Sequence, residues 1–200
     1  TVKMIRHITL QTAHGSLHGQ LERPDSPRGL ILIARSHHAA ADATIAANFA
    51  ELGYATFAME LLSTQEMQFI DATQNVPRLT QRLIEVLDLI RHDGDMQELP
   101  LAIFTTGDVA PAAIRTAAQR DTQVKALACH GGLIDRAGAQ ALDLLAAPLL
   151  MLFDRDEDIA QAAYQRAIAH LRCPHEMREL AGGNDPVVTV GQWFSQIFHG

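Results

Sequence analysis

Hydrophobic and polar positions along this 200-residue chain follow two rhythms, one of period two and one of period near 3.6. Lys3 to Leu10 and Ser16 to Arg23 read as strands, and Ala13-His14-Gly15 between them reads as a hairpin turn. Gly29 to Ala34 is a short, almost wholly apolar run, the pattern of a strand covered on both faces. An alanine-rich helix is predicted from about Ala41 to Leu52, with Gly53 at its end, followed by a strand from Tyr54 to Met59. Val76 to His92 carries Leu79, Leu83, Val86, Leu87 and Ile90 on one stripe, which predicts a long amphipathic helix.

The alternation then continues in one sense. Strands are predicted at Leu101–Phe104, Val124–Cys129, Pro148–Phe153 and Glu176–Leu180. Helices are predicted at Val109–Gln119, Ala137–Leu145, Ile159–Leu171 and Pro186–Phe198. Strands alternating with helices predict one α/β domain over residues 1–200, with a central, mostly parallel sheet of about seven or eight strands flanked by helices and led by an antiparallel hairpin. Ligand sites in such sheets lie beyond the carboxyl ends of the strands, so the loops beginning at Arg35, Glu60, Thr105, Cys129, Asp154 and Ala181 carry the candidate chemistry.

Charge narrows the partners. The formal net charge is -7, and the basic residues are scattered, which argues against nucleic acid or an anionic membrane as a partner. No apolar stretch reaches the length of a membrane span, and the first residues lack a charged-then-apolar leader pattern. Two cysteines, Cys129 and Cys173, do not make a disulfide framework, so a cytoplasmic setting is expected. The expected partner is a small-molecule ligand or another protein, and a homodimer is compatible with these patterns.

Leu52 to Leu62, reading LGYATFAMELL, and Leu149 to Asp156, reading LLMLFDRD, resemble segments of the α/β-hydrolase family, within it the dienelactone-hydrolase-like branch. The resemblance spans roughly residues 3 to 198. It implies a hydrolase of carboxylic esters or lactones, with a nucleophile on a tight turn after the strand that ends near Phe104. Here that turn reads Thr105-Thr106-Gly107-Asp108, and Gly107 stands at the nucleophile position without a side chain. The implied acid falls at Asp156, crowded by Asp154 and Asp158. The implied histidine position, Ala181 to Pro186, holds no histidine. The loop that would help bind an oxyanion reads Arg35-Ser36-His37-His38. A triad works as a unit, so one retained member does not hydrolyse esters by the usual route.

Two functional readings follow. In the first, the chain has lost conventional esterase activity and binds a ligand or partner through Arg35, Ser36, His37, Thr106, Gly107 and Asp108. In the second, an active esterase or lactonase uses a relocated site at Cys129, His130 and Asp156, with thiol and imidazole as nucleophile and base. Against this, a free cysteine in a strand is most often a packed core residue. No cofactor or metal is expected. His37, His38 and His130 with Asp108 or Asp156 contain ligand types for zinc, but no compact metal-binding spacing. Asp156 is expected either to pair with a cation, Arg35 or the adjacent Arg155, or to face a ligand.

Overall fold

A computed structural model describes residues 2–37, 42–182 and 185–199, with side chains from Met4 onward. His38 lies outside the described residues, as does Asn184 of the Ala181–Pro186 segment.

Eight strands form one sheet: β1 (Val2–Thr12), β2 (Gly15–Pro24), β3 (Leu30–Arg35), β4 (Ala55–Glu60), β5 (Leu101–Thr106), β6 (Val124–His130), β7 (Leu149–Phe153) and β8 (His175–Glu179). Their spatial order is β1-β2-β4-β3-β5-β6-β7-β8. β1 pairs with β2, and β2 with β4, antiparallel; every pair from β4 to β8 is parallel. The connecting helices are α1 (Asp42–Glu51), α2 (Val76–Arg91), α3 (Ala110–Gln119), α4 (Ala139–Leu144), α5 (Asp158–Ala167) and α6 (Pro186–His199). The predicted doubly covered parallel sheet is therefore the observed one, with eight strands and helix ends shifted by one to four residues. No helix among the described residues is long and apolar enough to cross a membrane.

Burial explains why the central strands are apolar throughout. Successive side chains of a strand point to opposite faces. Ile31, Ile33, Phe104, Ala128, Leu150 and Leu152 pack with Phe49 of α1 and with Val187, Val190, Trp193 and Phe194 of α6. Leu32, Ile103, Leu127, Cys129 and Met151 pack on the other face with α2, α3 and α5. The five stripe residues of α2 are all buried. Each supplies roughly 1.5–3 kcal/mol of transfer free energy before the entropy of ordering is subtracted. Asn75 caps that helix by accepting a hydrogen bond from the Arg78 N–H at 3.1 Å.

Residues 62–75, which the hydrophobic pattern leaves without an element, fold into two 3₁₀ turns, Glu66–Gln68 and Ala72–Gln74. The Ser63 N–H donates to Glu66 Oε1 at 3.0 Å, and the Glu66 N–H donates to Ser63 Oγ at 3.1 Å. This is the reciprocal Ser-x-x-Glu capping arrangement, a local signal present in the sequence. Glu66 is buried and receives two hydrogen bonds from Arg82 of α2, each at 2.8 Å. The clamp fixes the start of the segment that brings Thr73 and Gln74 to the carboxyl edge of the sheet.

A candidate ligand cleft at the altered elbow

β5 ends in extended backbone at Thr106, and the chain turns sharply at Gly107, where φ is +45°. A residue with a side chain rarely adopts that conformation, and glycine adopts it freely. A 3₁₀ turn, Gly107–Val109, leads into α3, whose first turn contains Pro111, where no intrahelical N–H is needed. A Cβ built on Gly107 would meet nothing within 4 Å. The strand-turn-helix shape of a nucleophile elbow is present, with open space where its side chain would stand. Asp108 does not cap the helix: Val109 occupies the cap position of α3, with no side-chain hydrogen bond there. Asp108 is exposed beside the cleft instead.

Gly107 and Asp108 are shared by two adjoining hollows. The larger, about 530 Å³, has apolar walls from Val76, Pro111, Leu133 and Ile159. Its charged lining is Asp108, Arg136, Asp156, Glu157 and Asp158. The smaller, about 400 Å³, is lined by Arg35, Ser36, His37, Thr106, Gly107, Asp108, His130, Asp154 and Glu157. All six residues of the ligand-binding reading thus share one hollow, together with His130.

The expected Arg35–Asp156 pair does not form. Arg35 donates from Nε to Asp42 Oδ1 at 2.8 Å and from Nη1 to Thr106 Oγ1 at 2.5 Å. Asp42 begins α1 and is nearly buried, so the guanidinium neutralises a charge that would be costly alone. Nothing in the hydrophobic pattern singles out Asp42, because its role depends on where α1 docks. Asp156 is exposed, lines the larger hollow, and makes no hydrogen bond or ion pair with a described residue. His130 Nε2 lies 3.0 Å from Asp154 Oδ1, so Asp154 is the acid beside it. Glu157, absent from the sequence candidates, accepts from the Asp154 N–H at 2.8 Å. His37 Nδ1 lies 3.2 Å from Oε2 of the buried Glu60.

Cys129 is drawn away from this chemistry. Its side chain is fully buried in the sheet, pointing to the face that packs with Leu127 and Met151, and burial pushes its thiol well above the usual range. A thiol that resists ionisation is a poor nucleophile. Burial also pushes Cys173 up, to about 11. Both thiols are therefore expected to resist a disulfide-exchange reagent in the native protein and to titrate promptly once it is unfolded in denaturant. Rapid reaction of one native thiol that Cys129→Ala abolishes would show that the strand end opens.

Solved structures share this architecture across nearly the whole chain. A dienelactone hydrolase from Anabaena variabilis superimposes with a TM-score of 0.84 over 98% of this chain and 96% of its own, at 23% identity. The chain has the α/β-hydrolase fold. The same fold is shared by a cold-adapted esterase from an Arctic intertidal metagenomic library, with a TM-score of 0.72 at 12% identity, covering 97% of this chain and 93% of the other. A lipase/esterase from Lactobacillus plantarum superimposes with a TM-score of 0.70 at 14% identity, covering 96% and 97%. No protein-family model matches the sequence. Two Mycobacterium tuberculosis proteins provisionally named phosphoribosyl transferases are 29% identical over 147 residues, 72% of this chain. The chain spans about a third of the length of these curated relatives, since the match covers 33% of each.

Proposed function

We propose that this chain binds a small molecule in the cleft above Gly107 and does not hydrolyse it through the elbow of its fold. One observation carries the reading: Gly107 adopts the φ of an elbow residue and has no side chain, while the space above it is open. Ester hydrolysis by this fold needs a nucleophile there and an imidazole to take its proton. The loop after β8 supplies no imidazole, and its Asp185 accepts from the Val187 N–H at 2.9 Å at the start of α6. What supports ligand binding is the retained hollow, about 530 Å³ with apolar walls and a few charged groups, the usual character of a small-molecule site.

The neighbours' names point to carboxylic esters or lactones as the class of molecule such a cleft admits, and the elbow argues against their turnover here. The phosphoribosyl transferase name suits this cleft poorly. A phosphorylated sugar would face Asp108, Asp156, Glu157 and Asp158, with only Arg136 to offset them among the charged residues lining the larger hollow. The relocated-site reading loses its nucleophile with the burial of Cys129.

The test is hydrolysis of an activated aryl ester by the purified chain. The expected rate is that of the buffer with free imidazole, and Gly107→Ser is expected to add no acyl-enzyme burst, although its side chain has room. Turnover by the unaltered chain near the enzyme median of about 10 per second would overturn the reading. A burst in Gly107→Ser that His130→Ala removes would show that His130 already reaches the elbow as a base.

A further inference from the structure

We infer that His130, Asp154 and Glu157 form a binding site for a divalent first-row transition metal ion of the zinc class, opening into the smaller hollow beside Gly107. The inference revises the sequence expectation of no metal, and it is independent of whether the cleft also takes an organic ligand.

The geometry comes first. One ligand atom from each of the three side chains lies within 4.8 Å of the others. Ligand atoms around a tetrahedral zinc ion, bound at about 2.1 Å, stand roughly 3.4 Å apart. His130 Nε2 and Asp154 Oδ1, at 3.0 Å, are already near that spacing. The ends of two strands hold two of the three residues. His130 ends β6, Asp154 directly follows β7, and the Gly131 N–H donates to the Leu152 carbonyl at 2.8 Å between those strands.

Local hydrogen bonding places the Glu157 carboxylate at the site. Glu157 Oε1 is held by the Asp154 N–H, which leaves Oε2 lying over the backbone of Gly131. A Cβ at residue 131 would fall well inside contact distance of that oxygen, and Gly131 has φ +75°. A side chain there would push this carboxylate end aside, and the φ of Gly131 is one that glycine adopts freely. The charge balance points the same way. Asp108, Asp154 and Glu157 line this hollow, while its guanidinium, Arg35, is engaged with Asp42.

The donor set names the class of ion. One imidazole and two carboxylates suit zinc, manganese or a similar ion, and no thiolate is present to select a softer one. Three protein ligands leave at least one coordination position for water or for an atom of a bound ligand. A metal there would let an anionic molecule enter a cleft whose own carboxylates repel it.

The experiment uses the untagged, chelator-stripped chain, titrated with zinc by calorimetry and with cobalt by visible absorption. One equivalent is expected to bind, with the cobalt spectrum of a nitrogen- and oxygen-ligated ion. His130→Ala, Asp154→Asn and Glu157→Gln are each expected to weaken binding at least as much as the roughly 10- to 100-fold typical of losing a residue that only orients a ligand. His170→Ala, at an exposed histidine beyond α5, is expected to bind as the parent does. Melting curves establish that each variant is folded, and Glu157→Gln keeps an oxygen for the Asp154 N–H. Absence of saturable binding at millimolar zinc, or binding by the three site variants as strong as that of the parent, would overturn the assignment. Ester hydrolysis is not the readout, so the result stands apart from the function proposed above.

Discussion

Replacing Glu66 with alanine is expected to cost about 3–5 kcal/mol of folding stability, the range for breaking a buried ion pair and leaving its partner charged and alone. Arg82 is that partner. It is nearly as buried as Glu66 and also donates to the Leu61 carbonyl at 2.9 Å. Arg78 approaches Glu66 at 3.2 Å from the exposed side of α2. Burial by itself raises the Glu66 carboxyl, but the hydrogen bonds from Arg82 and the Ser63 N–H, with the charges of Arg82 and Arg78, hold it below the ordinary value. A carboxyl depressed in the folded state stabilises fully above its unfolded value of about 4.5 and loses that contribution as the pH falls through the folded value. Denaturant unfolding should therefore show a large gap between parent and Glu66→Gln at pH 7 that narrows as the pH drops below about 4.5. A gap unchanged by acid would mean that the carboxylate's charge contributes nothing. The same clamp holds the chain leading to Thr73 and Gln74, so the larger hollow is expected to lose part of its wall in these variants.

Phe104→Ala is expected to cost a similar amount, about 3–5 kcal/mol, through lost transfer free energy and the cavity left behind. The ring is buried in the middle of the sheet and meets Phe49 of α1 edge to face, with ring centres 5.8 Å apart. The position is central to α1, α6 and β5 at once, so the hole cannot be closed by one side chain turning. A fall in melting temperature on the order of 10 °C is expected by calorimetry, given the usual 2–4 °C per kcal/mol for domains of this size. A shift within 2 °C would show that α6 settles into the gap. Phe104 lies three residues before Gly107, so the turn is expected to show faster amide exchange in this variant, a structural link between core and cleft.

Much of the architecture was legible because burial on two faces leaves a signature that needs no partner to be seen. Apolar runs such as Leu30 to Ala34 and Leu149 to Phe153, separated by helices with one apolar stripe, leave little choice but a covered parallel sheet. The Ser63–Glu66 cap was legible in principle, since Ser-x-x-Glu is a local motif, but it opens a segment with too little periodicity to draw attention. The hidden elements are short 3₁₀ turns, which three residues can form without any repeating pattern.

The candidate site was legible only in part. Which residues reach the carboxyl edge followed from the order of strands and loops, and Arg35, Ser36, His37, Thr106, Gly107, Asp108 and His130 do line one hollow. The absence of a side chain at Gly107 and of a histidine from Ala181 to Pro186 is written in the chain itself. Which polar groups pair with which was not. Arg35 turned to Asp42, His130 to Asp154, and Glu157 to the Asp154 backbone, because ion pairs and hydrogen bonds depend on distances of a few tenths of an ångström. Cys129 and His130 are adjacent in sequence, and the pleat of β6 sends one into the core and leaves the other at the rim. Periodicity determines on which face a residue stands, since that is a property of the backbone repeat. The partner it meets there is decided only when helices and strands far apart in sequence have docked.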